Sequence, residues 1–460
     1  MKNHALRILL LAALSAAYSL SGAAPAVQKP TAVAGSDTIV AHTLDNGLKV
    51  VIWPAHDIPN VAIYTWFRAG GRNEYPGITG LAHYFEHMMF NGTANLAPGE
   101  FDRVMEAAGG SNNAYTSSDV TVYQDWFPKE ALETILTLEA DRMANLDFDP
   151  DVVESERGVV FSERRASVDN QPFGALHEQM QATAFVAHPY QFPVIGWPSD
   201  IENWKVEDLK TFYRTYYAPN NATMFIVGDV EPRALLSRIE HHFGKIPRQP
   251  EPRAVTTTEP EQLGERRVVV EKPGVQSPIL AMAWHTGNAS AEDQRPLQLL
   301  LSILANGEAS RLHQRLIERD RIALDVGAML DTGFDPGLVW LYAMLPPGGD
   351  LARVEQVIDE ELAKLLADGV SAIELGRAHK QAQADFWRGL QTISGKAQAL
   401  GTFEVFHGDY RRLFDEPAKV ASIDVDALAD AAQRTFRPAN RTTGHLRPAA
   451  SVTTAPASED

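Results

Sequence analysis

Apolar residues recur with two different periods along the chain, and these periods predict a succession of strands and helices. The runs LKVVIW and NVAIYTWFRAG, within residues 48–70, have the composition of strands, as do RRVVVEK and PILAMAWHTG, within residues 266–287. Segments with helical spacing follow each pair, LAHYFEHMMF at 81–90 and LQLLLSILANG at 297–307. This order predicts an α+β fold with mixed α/β layers, in which helices pack on antiparallel-rich sheets.

A weak internal repeat suggests that the chain contains the same unit twice. VEDLKTFYRTYYAPNNATMFIVGD begins at Val206, and VDALADAAQRTFRPANRTTGHLRP begins at Val425. Six pairs match at one constant offset, among them Pro219 with Pro438 and Asn221 with Asn440. Each copy has the pattern of a helix, a Pro-Asn turn and a strand. Two homologous domains are the prediction, and chance similarity is the alternative.

Composition places the boundaries between these parts. Two similar domains are predicted at 38–245 and 266–447, joined by a linker at 246–265 that is rich in Pro, Thr and Glu. The tail at 448–460 has few apolar residues and is predicted to be disordered.

The first 26 residues have the features of a cleaved signal peptide. Lys2 and Arg7 form a basic start, an apolar core follows, and Ala24-Pro25-Ala26 is a cleavage pattern. The apolar core is too short to span a bilayer comfortably, and no later segment looks membrane-spanning. An exported protein is therefore expected, periplasmic if the source is bacterial.

The net charge of -18 argues against a nucleic-acid partner, because phosphates require clustered Lys and Arg. The chain has no cysteine, which excludes disulfides, thiolate metal ligands and a cysteine nucleophile. Any bound metal must therefore be held by nitrogen and oxygen atoms.

His83, Glu86 and His87 fall within one predicted helix and form the inverted zincin pattern H-x-x-E-H. Residues four apart share a helix face, so both imidazoles can bind one divalent ion. Glu86 lies beside them and can take a proton from water without being a ligand. The alternative is a pair of ordinary packed or surface histidines.

A catalytic zinc usually has three protein ligands, so a third donor is needed. A second predicted helix starts at Asp149-Pro150 and carries Glu156 and Glu163 two turns apart on one face. Glu163 is the candidate third ligand, and Glu156 is the candidate partner that orients a ligating histidine. A solvated charged face is the alternative.

These motifs, with the flanking text GITGLAHYFEHMMFNGT and GGSNNAYTSSDVTVY, resemble the pitrilysin–insulysin metallopeptidases, which include mitochondrial processing peptidase. The resemblance covers nearly the whole chain after the leader. It implies one zinc ion bound by His83, His87 and Glu163, with Glu86 as general base and Glu156 as an outer carboxylate.

The same resemblance implies a clamshell of two halves around a chamber, this chain forming one half. The segment NNAYTSSDVTVY would be an edge strand, where Asn113, Ala114 and Tyr115 bind an extended peptide through the main chain. Alternation along YTSSDVTVY also fits an ordinary sheet strand.

The second half lacks H-x-x-E-H and departs from the family pattern at two further positions. Self-sufficient members carry an arginine and a tyrosine where this chain has Ile317 and Leu324, while Arg319 and Arg321 are out of register. These groups stabilise the developing oxyanion, so their absence predicts a homologous partner subunit that supplies them in a heterodimer. An enzyme that works alone or as a homodimer is the alternative.

The sequence therefore predicts an exported zinc metalloendopeptidase that hydrolyses peptides or unfolded segments. The alternative is a non-catalytic subunit that binds peptides or acts as a scaffold. Retention of His83, Glu86, His87, Glu156 and Glu163 favours the enzyme.

Overall fold

A computed structural model of the chain describes residue 33 and residues 35–449. The predicted signal peptide at 1–26 lies outside the described residues, as does nearly all of the predicted tail. Among the described residues, none of the helices combines the length and the hydrophobicity that a membrane span requires.

Eleven strands in the described residues form two mixed sheets. Their bounds are β1 Val40–Thr43, β2 Lys49–Pro54, β3 Asn60–Phe67, β4 Ser111–Thr116, β5 Thr121–Pro128, β6 Ala222–Gly228, β7 Arg266–Lys272, β8 Ile279–His285, β9 Asp325–Leu330, β10 Leu338–Met344 and β11 Arg441–Pro448. The last residue of β11, Pro448, is thus also the first residue of the predicted tail.

Fourteen α-helices within the described ranges connect and cover these strands. They are α1 Leu81–Met88, α2 Glu100–Ala107, α3 Leu132–Asn145, α4 Pro150–Arg164, α5 Pro172–Ala184, α6 Pro198–Asn203, α7 Val206–Tyr216, α8 Pro232–Phe243, α9 Gln294–Leu304, α10 Leu351–Asp368, α11 Ala372–Gly389, α12 Ile393–His407, α13 Glu416–Ala421 and α14 Val425–Thr435. Short π-helical segments follow α4 at Arg165–Asp169 and α9 at His313–Arg319.

The five strands of the second sheet have the same order and directions as five of the six strands of the first. The first has the strand order β1-β2-β6-β3-β5-β4, and the second has the order β7-β11-β8-β10-β9. In each sheet one pair is parallel, β2 with β6 and β7 with β11, and the remaining pairs are antiparallel. The second sheet is therefore the first without β1, which confirms the predicted α+β class with two homologous units.

The repeat seen in the sequence is also a structural repeat. The helix, 3-10 turn and strand formed by α7, residues 219–221 and β6 recur at the same offset in α14, residues 438–440 and β11. Asn221 Nδ2 donates to the carbonyl of Tyr216, and Asn440 Nδ2 donates to the equivalent carbonyl of Thr435. The paired asparagines thus close the same turn in both halves.

Each half covers one face of the other half's sheet. Helix α12, from the second half, packs on the first sheet, where Leu400 joins Trp66 in a buried cluster. Helix α5, from the first half, packs on the second sheet, where Leu176 and Met180 join Ala281. The described residues belong to one compact unit, although the predicted linker lies between the two sheets in the sequence.

The predicted linker at 246–265 contains no helix or strand, but side chains anchor it to both halves. The Glu259 carboxylate accepts hydrogen bonds from the backbone N–H groups of Val186, Ala187 and His188. The buried Gln262 side chain donates to the carbonyl of Arg441.

The prediction of one strand along YTSSDVTVY is wrong, because the chain reverses within it. Strand β4 ends at Thr116 and β5 starts at Thr121. The Ser117 hydroxyl accepts hydrogen bonds from the backbone N–H groups of Asp119 and Val120, which stabilises a tight turn. β4 is nevertheless the outer strand of the first sheet, as the edge prediction requires.

The packing of α12 on the first sheet can be tested at the contact between Gly401 and Trp66. A Cβ at Gly401 would stand 2.2 Å from Cε2 of Trp66, whereas Gly376 in α11 has open space. We expect Gly401→Ala to lower the free energy of unfolding by about 1–3 kcal/mol through overpacking. The control Gly376→Ala should raise it by about 0.5–1 kcal/mol. Urea unfolding would measure both, and equal effects would contradict the assigned packing.

Candidate metal centre

Helix α1 carries three polar side chains on one face and buries the other. Leu81, Phe85 and Met88 are fully buried in the first core, so the remaining face turns His83 and His87 toward α4. This pattern follows from the helical period, because only one side of the short segment LAHYFEHM is apolar throughout.

A buried carboxylate fixes the start of this helix. Glu74 accepts hydrogen bonds from the backbone N–H groups of Gly80, at 2.7 Å, and Ala82, at 2.8 Å. The N-cap Gly80 has φ of 89°, a conformation that favours glycine. Burial raises the pKa of Glu74 well above its usual range, although both N–H groups oppose the shift. This role of Glu74 could not be predicted from the motif, because Glu74 lies in a loop before it.

Helix α4 faces α1 and carries the two predicted glutamates. Its N-cap is Asp149, as predicted, whose carboxylate accepts the N–H groups of Asp151 and Val152. The Tyr84 hydroxyl donates to the carbonyl of Val153 at 2.8 Å and ties the two helices together.

The structure brings His83, His87 and Glu163 together. One ligand atom from each lies within 4.8 Å of the others. Glu163 Oε2 lies 3.2 Å from His87 Nε2 and 3.6 Å from His83 Nε2. Donors bound to zinc at tetrahedral angles stand about 3.3 Å apart, so these spacings suit the ion. Two imidazoles and one carboxylate match the ligands of catalytic zinc sites, and the residues fit a zinc ion.

Two residues position the His87 ring: Glu156 contacts it directly, and Asn91 orients the Glu156 carboxylate. Its Nδ1 lies 2.7 Å from Glu156 Oε1, which leaves Nε2 directed at Glu163. Asn91 Nδ2 donates to the other Glu156 oxygen at 2.7 Å. Sequence reasoning anticipated Glu156 in this position but missed Asn91, which follows α1 in the Asn-Gly turn.

His83 lacks such support. Its Nδ1 atom is buried and has no hydrogen-bond partner among the described residues. His83 and His87 thus differ in how firmly their rings are oriented.

The acidic neighbours control the charge of the metal-free cluster. Burial opposes protonation of His87, but hydrogen bonds and charge from Glu156 and Glu163 outweigh it and raise the pKa of His87 to about 9. Hydrogen bonds from His83 and His87 in turn hold the pKa of Glu163 far below its usual range. A metal cation at the same place would take over the proton's role.

Glu86 is directed toward the edge strand. The Thr116 hydroxyl, at the end of β4, donates to Glu86 Oε2 at 2.6 Å. Thr116 was missed because its contact depends on the tertiary position of β4 beside α1.

The predicted substrate-binding residues lie in β4, but their side chains do not share one direction. Ala114 packs against the first core, on the side of α1. Tyr115 packs against the α12 side, and its hydroxyl accepts a hydrogen bond from Gln398 Nε2. The Tyr115 side chain is therefore occupied within the fold. The predicted contact through the main chain of Asn113, Ala114 and Tyr115 does not require these side chains.

The two positions that depart from the pattern of the resembled family, Ile317 and Leu324, have different surroundings. Ile317 lies in the π-helical segment and packs partly buried against the second core. Leu324, just before β9, is 56% exposed.

Two family models and curated relatives match most of the chain. The model of Insulinase (Peptidase family M16) matches residues 49–196, and the model of the Peptidase M16 inactive domain matches residues 203–382. Zinc protease PqqE of Helicobacter pylori is 32% identical over 410 residues, which cover 88% of this chain and 92% of that protein.

Solved structures have the same fold. The crystal structure of a protease from Helicobacter pylori has a TM-score of 0.86 at 31% identity and covers 89% of this chain and 99% of that chain. The periplasmic protease PqqL from Escherichia coli has a TM-score of 0.75 at 20% identity. That match covers 91% of this chain but 48% of PqqL.

We expect one zinc per chain, with an affinity that rises with pH up to about 9. His87 is protonated at pH 7 in the metal-free site and must release its proton to bind the ion. Calorimetric titration of zinc in buffers of different ionisation enthalpy would measure this proton.

Glu156→Gln removes the charge that raises the pKa of His87, so proton release at pH 7 should fall. Glu154→Gln, on the exposed side of α4, is the matched control. Equal proton release from the two variants would contradict the assigned role of Glu156.

Proposed function

Because the chain belongs to peptidase family M16, we propose that it is a zinc-dependent endopeptidase that hydrolyses peptides or unfolded segments. The observation that carries this proposal is the convergence of His83, His87 and Glu163 beside Glu86. The relatives named as zinc proteases support the peptidase class.

In the proposed reaction, His83, His87 and Glu163 would hold zinc, which would supply Lewis-acid chemistry at the scissile carbonyl. Glu86 takes a proton from the attacking water and delivers it to the leaving amine nitrogen. The Thr116 hydroxyl holds Glu86 Oε2, so the other carboxylate oxygen remains for proton transfer.

We propose that the substrate adds to the free edge of β4 as an extended strand. Main-chain groups of Asn113, Ala114 and Tyr115 would form the hydrogen bonds. Thr116 belongs to the same strand and donates a hydrogen bond to Glu86, so this bond connects the proposed substrate-binding edge to the proton acceptor. Such binding selects extended segments over folded proteins.

The apolar side chains at Ile317 and Leu324 support a second proposal, a heterodimer. A homologous subunit would supply the arginine and tyrosine that stabilise the oxyanion. A non-catalytic peptide-binding subunit is the alternative, and a homodimer is the other possible assembly.

We also propose export of the protein to the periplasm of a bacterial cell. The support is the basic and apolar start of the chain, with its Ala24-Pro25-Ala26 pattern. The structural relative PqqL is named a periplasmic protease.

Glu86→Gln should keep one zinc per chain and lower kcat by about 10²- to 10⁴-fold, because an amide cannot accept the proton. A quenched peptide library and metal analysis would measure cleavage and zinc together. Glu106→Gln, which makes the same change at an exposed residue of α2, is the control. Near-normal turnover of Glu86→Gln would refute the mechanism.

The purified chain should turn over about 10²- to 10³-fold more slowly than the chain recovered with its partner subunit, the loss expected for a missing oxyanion donor. Glu86→Gln in the complex should abolish the gain, because only this chain would carry the zinc site. Equal turnover of the isolated chain and the complex would exclude the heterodimer. Zinc without cleavage in both samples would favour the peptide-binding alternative.

A further inference from the structure

The second half contains a counterpart of the metal site that has lost its ligands. Helix α9 occupies the same place in the repeat as α1, and both are followed by an Asn-Gly turn. Gly92 and Gly307 in these turns have φ of 106° and 90°. Counting back equally from each turn places Gln298 and Ser302 at the positions of the two site histidines.

The same correspondence holds for the facing helix. Helix α11 is the counterpart of α4, and the side chains of their N-caps, Ser371 and Asp149, both accept backbone N–H groups. Counting equally from each cap places Ala378 and Asp385 at the positions of the two site glutamates. The substitutions remove both imidazoles and one carboxylate. Within the described ranges, the only donor group close enough to hold a metal is the one in the first half.

These four replacement residues line one open cavity of about 710 Å³ between α9, α11 and α13. A volume of about 300–1,000 Å³ is typical of sites for small molecules. The positions that correspond to the metal site therefore line a cavity of a size that suits a small ligand.

Two residues that line this cavity each have one buried side-chain atom without a hydrogen-bond partner in the described part of the chain. The atoms are Ser310 Oγ and His379 Nε2. The Ser310 residue is 1% exposed. A buried polar group without a partner is unfavourable, so these atoms are suited to a ligand with donor and acceptor groups.

Charges of opposite sign lie on the lining of the cavity. Arg377 and Glu308 both line it, and neither side chain has an ion-pair partner among the described residues. Leu299 and Phe386 add apolar surface between the polar groups. A ligand that complements this lining carries a carboxylate, an ammonium group and an apolar part.

We propose that this cavity binds short peptides with free termini. Arg377 takes the terminal carboxylate, Glu308 takes the terminal ammonium, and Ser310 and His379 bind the amide groups. The site is separate from the metal cluster, and the inference does not depend on cleavage by the first half. Peptides of the size that an endopeptidase releases would occupy it.

Calorimetric titration with the tripeptide Ala-Leu-Ala tests the proposal. The full zinc-loaded chain carrying Glu86→Gln is used, so that the probe is not consumed. Saturable binding is expected. N-acetylation or C-amidation of the probe should weaken binding by about 10- to 100-fold, because each removes one charged contact.

Variants locate the binding site. Arg377→Gln should weaken binding of the free tripeptide by a similar factor and should leave the affinity for its C-terminal amide unchanged. Ala382→Phe should block binding by filling the cavity. Lys380→Gln is the matched control, since this lysine lies on the same helix but outside the cavity lining.

Absence of saturable binding would overturn the proposal. Binding that is unchanged by both Arg377→Gln and Ala382→Phe would also overturn it, because the peptide would then lie elsewhere, such as at β4. Cleavage of the peptide library by the wild-type chain is measured separately, so either outcome leaves the proposed function with its own test.

Discussion

The central strands of both sheets are buried on both faces, and this requirement shapes the rest of the molecule. Strand β3 is buried along seven of its eight residues, so helices must cover it on two sides. The helices α1, α3 and α7 of the first half cover one side only. The other side is covered by α12, and α5 covers the equivalent side of the second sheet. Neither sheet is complete without the opposite half.

The covering of each sheet by a helix from the opposite half also determines where the metal cluster lies. Helix α4 must lead into α5, which packs on the second sheet, and a π-helical segment that starts two residues after Glu163 makes the transition. The third ligand candidate therefore sits at the junction between the two halves. Its two histidine partners stand on a helix whose start is fixed by Glu74 and whose side is fixed by Tyr84. The helix that carries the two histidines is thus anchored in the first half, while Glu163 lies close to the junction.

Several features could be predicted from the sequence because they depend on spacing alone. His83 and His87 share a face by helical periodicity, Glu156 and Glu163 lie two turns apart, and the constant offset revealed the repeat. Features that depend on contacts across the fold could not be predicted. Thr116 reaches Glu86 only because β4 lies beside α1, and apolar periodicity in α12 does not say which sheet it covers. The turn at Ser117 was missed because the alternation of YTSSDVTVY continues through it.

The reciprocal covering has a consequence for how the two copies depend on each other. Two copies of one unit, each covering the partner's sheet with a helix, have the arrangement of a domain-swapped homodimer. A single unit on its own would leave one face of its sheet bare, so each copy needs the other for its stability. Joining the two copies in one chain keeps them together even where their sequences differ, as they do at the metal site and its counterpart.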